Sequence, residues 1–194
     1  MTIHTVTGGL LGVNCYAVET GKECVVFDPG VPMEQVLREI SCPITAVLMT
    51  HAHVDHVLFL EEYKRRGIPS YIHELDNAAL GIPALNLSGE LGHGRSFPNA
   101  DHLVREGDRL SLGGLEIEVM HTPGHTVGSV CYRFGDTLIS GDTLFRYSYG
   151  RTDFPGGSSV AMTASLKRLK ALPKQIWVYP GHGESTSIAE EQWW

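Results

Sequence analysis

The sequence predicts an α/β fold of four layers, an αββα sandwich in which helices flank two mixed β-sheets. Two observations lead to this prediction: strand-like and helix-like segments alternate, and β-hairpin patterns occur in both halves of the chain. Alternation favours parallel strands, whereas hairpins join antiparallel ones, so the sheets should be mixed. Because 194 residues is an ordinary domain length, we expect a single domain over residues 1–194.

The first half of the chain carries the patterns that lead to a histidine-rich segment. In order, they predict a hairpin over 13–27, a helix around 36–40, an apolar strand over 44–49, a helix over 57–66 and a strand from 71. Residues 77–101 are rich in Gly, Pro, Asn and Ser without periodicity, which favours a surface excursion such as a lid or binding loop. The apolar strand therefore delivers His51 at its end.

The second half repeats the arrangement of strands that end at polar residues. The patterns predict a strand over 115–119 and two strands over 129–134 and 137–140 that are joined by a Gly-Asp turn. A helix capped by Ser158 or Ser159 and a strand over 176–179 follow. The last predicted element is a short helix, capped by Ser187 and Glu190, that ends at Trp193 and Trp194. Three of these strands run directly into His125, Asp142 and His182.

Composition indicates an ordinary globular protein and excludes some partners. The chain is 42% hydrophobic and 19% charged, with a formal charge of −7. Nucleic-acid binding through a broad basic face is not expected, because such binding neutralises phosphates. No apolar run approaches the ~18 residues that span a bilayer, and no leader-like pattern opens the sequence. We therefore expect a cytoplasmic protein with no membrane partner.

The four cysteines lie inside or beside apolar, strand-like stretches and show no CxxC spacing. Buried, reduced thiols are the expectation in a reducing compartment. The alternative is a disulfide between Cys15 and Cys24, if these residues face each other across the first hairpin.

Four potential metal ligands occur within six positions, in Thr50-His51-Ala52-His53-Val54-Asp55-His56. In an extended segment His51 and His53 point the same way and can reach one ion, whereas Asp55 and His56 lie beyond a turn and can reach a second. Imidazole and carboxylate ligands without thiolate suit zinc, and also iron, manganese or nickel. We predict a site for two divalent metal ions, with zinc as the default.

Three further residues at strand ends complete the predicted ligand set. His125 would bind the first ion, His182 the second, and the carboxylate of Asp142 would bridge both. Metal coordination lowers the pKa of a bound water to about 7, and two ions about 3.5 to 4 Å apart can also polarise a carbonyl. The sequence thus predicts a hydrolase whose nucleophile is a metal-bound hydroxide, with Asp55 and Asp142 as the catalytic carboxylates that hold the ions.

Four motifs carry a family resemblance, and they stand here as Thr-His-Ala-His-Val-Asp-His, Thr-Pro-Gly-His-Thr-Val-Gly-Ser, Ser-Gly-Asp-Thr-Leu-Phe and Pro-Gly-His-Gly. In this order the sequence resembles the metallo-β-lactamase superfamily. Within it the chain is most similar to short glyoxalase II-like (hydroxyacylglutathione hydrolase-like) proteins, partly because Gly150-Arg151-Thr152-Asp153-Phe154-Pro155 follows the aspartate motif. The resemblance implies a thioesterase acting on a small-molecule thiol ester, typically an S-acylglutathione such as S-lactoylglutathione.

The resemblance also assigns two supporting residues, each with an alternative. Asp28 would support the metal site from behind its ligands, but Asp28-Pro29-Gly30 is equally typical of a turn. Arg151 would bind a substrate carboxylate, but it could instead pair with Asp153 on the surface, where ion pairs are common and contribute little.

Two departures from the family pattern bear on specificity. Leu58 stands where the family usually has glycine, a change at the lip of the pocket. The sequence ends soon after His182, without the helical domain that supplies much of the glutathione contact in full-length glyoxalase II. Glutathione is therefore not fixed as the thiol carrier.

Other functions remain open for the same residues. One is a persulfide dioxygenase with a single iron at His51, His125 and Asp142, which the segment from Gly150 to Phe154 also resembles. Pro-Gly-His-Gly differs from the segment usual in those enzymes and favours the hydrolase. Lactonases and β-lactamases share the metal chemistry, and a binding module without catalysis would keep the fold alone.

Overall fold

The structure is a computed structural model that describes residues 1–91 and 94–192. Two six-stranded sheets pack against each other through a core of apolar side chains from both, which includes Phe27, Leu48, Ile117 and Tyr132. Helices cover the outer face of each sheet, over two further apolar clusters. This arrangement confirms the predicted four-layer α/β fold.

The first sheet has its strands in chain order and changes from antiparallel to parallel pairing at its centre. Strands β1 to β3 pair antiparallel, and β3 to β6 pair parallel. The strands are β1 (Thr2–Gly8), β2 (Val13–Glu19), β3 (Cys24–Phe27), β4 (Ile44–Leu48), β5 (Ser70–His73) and β6 (His102–Val104).

The second sheet has the order β14-β13-β10-β9-β8-β7, in which β10 and β13 are parallel and the other neighbours antiparallel. Its strands are β7 (Arg109–Leu112), β8 (Leu115–His121), β9 (Val130–Phe134), β10 (Thr137–Gly141), β13 (Trp177–Pro180) and β14 (Thr186–Ser187). A small hairpin of β11 (Leu144–Phe145) and β12 (Ser148–Tyr149) follows β10.

In the described ranges five α-helices complete the layers: α1 (Met33–Glu39), α2 (Val54–Val57), α3 (Leu60–Lys64), α4 (Glu74–Leu80) and α5 (Ser159–Lys170). The first four contribute to the apolar cluster on the outer face of the first sheet. The fifth covers the second sheet with Met162, Leu166 and Leu169. Ser158 caps α5, since its side chain accepts a hydrogen bond from the backbone N–H of Ala161, as the sequence predicts.

The predicted first hairpin is confirmed as β2 and β3, but its two cysteines do not face each other. Cys24 pairs with Glu19 across the hairpin, and Cys15 lies beyond the last paired position of β3. All four cysteines are free, and Cys15, Cys24 and Cys131 are buried, which agrees with the expectation of reduced thiols.

Two predicted helices differ in the structure. The helix expected over 57–66 is interrupted at Phe59, whose backbone N–H donates to the carbonyl of Pro29 and not to the preceding helical turn. The prediction of a final helix is wrong. Thr186–Ser187 forms strand β14, and the backbone N–H of Ile188 donates to the carbonyl of Ile176. This bond holds the chain against the sheet. Trp193 and Trp194 lie outside the described residues.

The segment 77–101 is partly ordered by helix α4, which begins before it and which the sequence analysis missed. His73 caps this helix, because its side chain accepts from the N–H of Leu75, and Asp76 and Leu80 are buried on it. In the described residues between Gly81 and Asp101 no further helix or strand is found, in agreement with the predicted excursion. Across the described part of the chain no helix is long and apolar enough to cross a membrane.

The core between the sheets should carry much of the stability. Ile117 is fully buried there, so Ile117→Ala removes packed atoms and should lower the free energy of unfolding by about 2 to 5 kcal/mol. Urea denaturation measures this loss. The control is Leu103→Ala, at a leucine that is 52% exposed, which should change stability by about 0.5 kcal/mol or less. Equal losses in both variants would contradict this placement of the core.

Candidate dimetal site

The structure brings all seven predicted ligand side chains together at one edge of the two sheets. Each is delivered by the end of a strand or by the turn that follows it: β4 leads to the first four, and β8, β10 and β13 lead to one each. Six of the side chains are buried or nearly so, and the seventh, His182, is 25% exposed. The residues are His51, His53, Asp55, His56, His125, Asp142 and His182.

Two of the groups of close ligand atoms in the cluster share no residue. One atom each of His51, His53 and His125 lies within 4.8 Å of the others, and so does one atom each of Asp55, His56 and His182. The first group is delivered by both sheets, because His51 and His53 follow β4 and His125 follows β8. Two ions can therefore be held only while the sheets keep their relative position.

Asp142 lies between the groups. Its Oδ2 atom is 3.4 Å from Nε2 of His125 and 3.7 Å from Nε2 of His182, and its Oδ1 atom is 3.2 Å from Nε2 of His56. Two ligand atoms on one tetrahedral ion, each about 2.0 to 2.2 Å from it, are roughly 3.3 to 3.6 Å apart. The separations of Asp142 from both groups are close to this value, so its carboxylate fits a position shared between the two groups.

Unpartnered polar atoms show that these residues fit metal ions. In the described residues six buried side-chain nitrogen or oxygen atoms have no hydrogen-bond partner, and five belong to this cluster. The five are Nε2 of His51, His53, His56 and His125 and Oδ1 of Asp142. An unpartnered buried polar group costs about 1 to 3 kcal/mol, and metal coordination would remove this cost.

Two histidines of the first group, His51 and His53, are held in the form that binds metals. Burial lowers the pKa of His51 well below its ordinary value, and the neighbouring histidines lower it further. Burial and the nearby His125 likewise lower the pKa of His53 to about 3. Both imidazoles are therefore neutral at physiological pH, and only a neutral imidazole has a free lone pair.

Carboxylates inside and around the second group place negative charge beside its histidines. Burial lowers the pKa of His56, but Asp142, Asp55 and Asp28 raise it more, so the net shift is upward. Burial raises the pKa of Asp142, but the charges of His56, His125 and His182 lower it more, so this carboxyl is ionised. The carboxylates thus favour a positive charge at the position where the second ion would lie.

Asp28 is both a turn residue and a contact of the site, so its two sequence interpretations are compatible. It adopts a positive φ of 52° after β3. Its Oδ2 atom is 2.9 Å from Nδ1 of His56, and the backbone N–H and hydroxyl of Thr50 both donate to its carboxylate. An Nδ1–H of His56 that donates to Asp28 leaves Nε2 free to bind a metal.

A second carboxylate, Asp76 of α4, supports the first group and was missed by the sequence analysis. It is 1% exposed. Its Oδ2 atom accepts from the N–H of Ala52, between His51 and His53, and from the hydroxyl of Thr126, beside His125; its Oδ1 atom accepts from the N–H of Gly128. Asp76 therefore ties together the loops that carry the first group. No motif surrounds it, so only the fold could identify it.

Gly181, the residue before His182, lies too close to the site to carry a side chain. A Cβ atom at this position would collide with Oδ1 of Asp142 and with the ring of His56. The chain can pass this close to the Asp142 carboxylate only without a side chain. His182 follows, and its Nε2 atom is 3.2 Å from Oδ2 of Asp55.

A cavity of about 300 Å³ opens onto the cluster. Besides ligands, its walls are mostly apolar, with Leu87, Phe145 and Phe154 among them, and Arg151 and Glu90 are its charged residues. The Arg151 guanidinium makes two hydrogen bonds to the carboxylate of Asp153 and lies over the Phe154 ring, 4.3 Å from its centre. Arg151 thus lines the cavity and also forms the surface pair that was its alternative.

The backbone of Arg151 has a role that sequence reasoning missed. Its carbonyl oxygen is 2.7 Å from Nδ1 of His125, so it accepts the Nδ1–H and leaves Nε2 facing the cluster. Other histidines contact different partners: His4 contacts Glu19, and the rings of His73 and His121 stack on each other. His93 lies outside the described residues.

Helices flank the two sheets, and a His/Asp cluster at their edge fits two metal ions. Together these features define a metallo-hydrolase fold. The sequence model of the metallo-beta-lactamase superfamily matches residues 8–182, and the chain belongs to this superfamily. YqgX of Bacillus subtilis (strain 168), a probable metallo-hydrolase, is 36% identical over 192 residues, which cover 95% of this chain and 91% of the relative.

One longer relative and two solved structures are also similar to this chain. Hydroxyacylglutathione hydrolase of Rhodospirillum rubrum is 37% identical over 174 residues, which cover 88% of this chain and 60% of the relative. The crystal structure of BLEG-1 B3 metallo-beta-lactamase is similar with a TM-score of 0.91 and 36% identity, covering 98% of this chain and 96% of that one. TTHA1623, solved in a di-iron-bound form, gives a TM-score of 0.83 and 37% identity, covering 97% and 96%.

The two supporting carboxylates should affect different metal positions. Asp28→Asn should weaken binding at the group that contains His56, and Asp76→Asn at the group of His51, His53 and His125, each by about 10- to 100-fold. Zinc titration against a competing chelator measures both dissociation constants, and His182→Ala and His53→Ala identify which constant belongs to which group.

The control for both variants is Asp136→Asn, at an exposed aspartate in the turn before β10, which should leave both constants unchanged. Unchanged zinc binding in Asp28→Asn and Asp76→Asn would show that neither carboxylate positions a ligand.

Proposed function

We propose that this chain is a binuclear metal-dependent hydrolase of thioesters, a glyoxalase II-like thioesterase. The position of Asp142 carries the proposal, because its carboxylate faces both ligand groups at the floor of a cavity that can admit a small molecule. The likeness to a hydroxyacylglutathione hydrolase over 88% of this chain supports the choice of a thioester.

The residues of the cavity favour water as the nucleophile. Its described lining contains no serine, cysteine, lysine or tyrosine, so it offers no side chain of the kinds that usually form an acyl intermediate. Two divalent ions, when bound, would lower the pKa of a coordinated water to about 7 and polarise the substrate carbonyl. Asp55 and Asp142 would keep the ions in place while the histidines hold them from the other sides.

The reaction adds one water to the thioester. A water oxygen bonds to the carbonyl carbon, the carbon–sulfur bond breaks with its electron pair on sulfur, and a carboxylate, a thiol and one proton result. Because a thiolate is a good leaving group, a strong general acid is not required, which agrees with the absence of a spare acid other than exposed Glu90 in the described lining.

The main alternative is the persulfide dioxygenase with one iron at His51, His125 and Asp142. The second ligand group favours the hydrolase over the dioxygenase, because a mononuclear site would leave Asp55, His56 and His182 together without a metal. Lactones and β-lactams need the same attack by water, and they are the alternative substrates within the hydrolase class.

The test is metal content per chain together with the rate of S-lactoylglutathione hydrolysis on the same preparation. We expect about two ions of zinc, iron or manganese and turnover. Asp142→Ala should lose metal and activity together, because it removes the bridging ligand, whereas Asp136→Ala should keep both. Metal is measured by elemental analysis, and released glutathione with a thiol reagent.

Two results would contradict the proposal. Full activity of Asp142→Ala would exclude the two-metal account. One iron per chain, with oxygen consumption on glutathione persulfide and no hydrolysis, would establish the dioxygenase in its place.

Arg151 should contribute to binding of an anionic thioester. Its guanidinium is exposed and already paired, so the expected effect of Arg151→Ala is small: KM for S-lactoylglutathione rises roughly two- to fivefold, with kcat retained. Arg38→Ala, which removes an exposed pair with Glu34 on α1, is the control. An unchanged KM would leave Arg151 as a surface ion pair.

A further inference from the structure

The walls of the cavity carry information about the acyl part of the substrate. Apart from metal-ligand candidates, six apolar side chains of the described part of the chain line it. Two of them are exposed at its mouth: Leu11 is 72% exposed and Leu91 is 39% exposed. The six are Leu11, Val54, Leu87, Leu91, Phe145 and Phe154.

Leu11 is held at the mouth in an unusual conformation. Its φ is 58°, in the left-handed region that leucine seldom adopts, within the turn Leu10–Gly12 between β1 and β2. Such conformations are kept where the surrounding structure imposes them, and they occur often at ligand sites. Here the conformation accompanies an apolar side chain that is left in solvent beside the metal-ligand cluster, where a bound apolar group would cover it.

A second cavity, of about 240 Å³, adjoins the first. Val54 and Leu91 line both cavities, so the two spaces are adjacent at this pair. Leu10 and Leu58 form further apolar walls of the second cavity. Among the residues that the structure describes, its one charged lining residue is Arg95, whose guanidinium lies over the Phe97 ring, 5.2 Å from the ring centre.

Leu58 contributes to this second cavity directly. It follows α2, is partly exposed, and packs against the buried cluster beneath the helices. A glycine at this position would leave one apolar wall missing.

We infer that the preferred substrates are thioesters with an extended apolar acyl group, which runs from the metal-ligand cluster past Val54 and Leu91 into the cavity walled by Leu10 and Leu58. The second cavity is lined mainly by apolar residues, Leu10, Val54, Leu58 and Leu91, which suit a hydrocarbon group better than a charged carrier such as glutathione, so this space is assigned to the acyl side of the thioester. This inference rests on the proposed thioesterase function and specifies its substrate class.

The test is a series with one carrier and increasing acyl length: S-acetyl-, S-butyryl- and S-hexanoylglutathione, beside S-lactoylglutathione. The value of kcat/KM should rise about fourfold for each added methylene, which corresponds to ~0.8 kcal/mol per buried CH₂. Hydrolysis of the series with a flat or falling kcat/KM would overturn the inference and leave the thioesterase proposal standing. No hydrolysis of any member by protein with two bound metals would refute the thioesterase proposal, and the inference with it.

Variants test the second cavity itself. Leu58→Gln should lower the ratio of kcat/KM for hexanoyl to acetyl thioester by about tenfold or more, because the amide replaces an apolar wall. The ratio does not depend on the fraction of folded enzyme, and Leu91→Gln, at a more exposed position, should lower it in the same direction. Leu37→Gln, at an exposed leucine on α1 that lines neither cavity, is the control and should keep the ratio. An unchanged ratio in both Leu58→Gln and Leu91→Gln would overturn the assignment of the cavity.

Discussion

The structure depends on a group of buried imidazoles and carboxylates whose free atoms face one another without hydrogen-bond partners. Four histidine nitrogens and one carboxylate oxygen share this state. Each would destabilise an ordinary core, because burial removes water and the neighbours offer no compensating proton. Two cations would remove the cost at every one of these atoms, which is why the cluster is better explained as a dimetal site than as a polar core.

The ligand residues stay close together because segments that follow strands of both sheets carry them. The ligand segments after β4 and β8 come from different sheets, and the apolar core around Phe27 and Ile117 fixes the distance between them. Asp28 and Asp76 then attach the ligand loops to the first sheet and to α4. The carboxylates do more than add hydrogen bonds, because a His56 ring that donates its Nδ1–H to Asp28 presents Nε2 to the cluster. Packing places the loops, and the carboxylates orient the rings.

The sequence predicted the fold and the seven clustered residues because both depend on short-range patterns. Apolar strands that end in His51, Asp142 or His182 are visible in the chain itself, and their convergence follows from how strands meet at one edge of a sheet. Asp76 was missed because its partners, Thr126 and Gly128, are about fifty residues away and no motif marks the pair. The break at Phe59 and strand β14 were missed for the same reason: in each, a long-range backbone hydrogen bond, to Pro29 or to Ile176, prevails over local helical preference. The cavity walls at Leu11, Leu58 and Leu91 come from separate loops, so their proximity also appears only in the fold.

The dimetal site can be tested most directly by anomalous diffraction from crystals of the protein loaded with zinc. The account predicts two anomalous peaks. One lies about 2.0 to 2.2 Å from nitrogens of His51, His53 and His125, the other at the same distance from Asp55, His56 and His182, and Asp142 contacts both. A single peak at the first group, with the second group bound to no metal, would contradict the account.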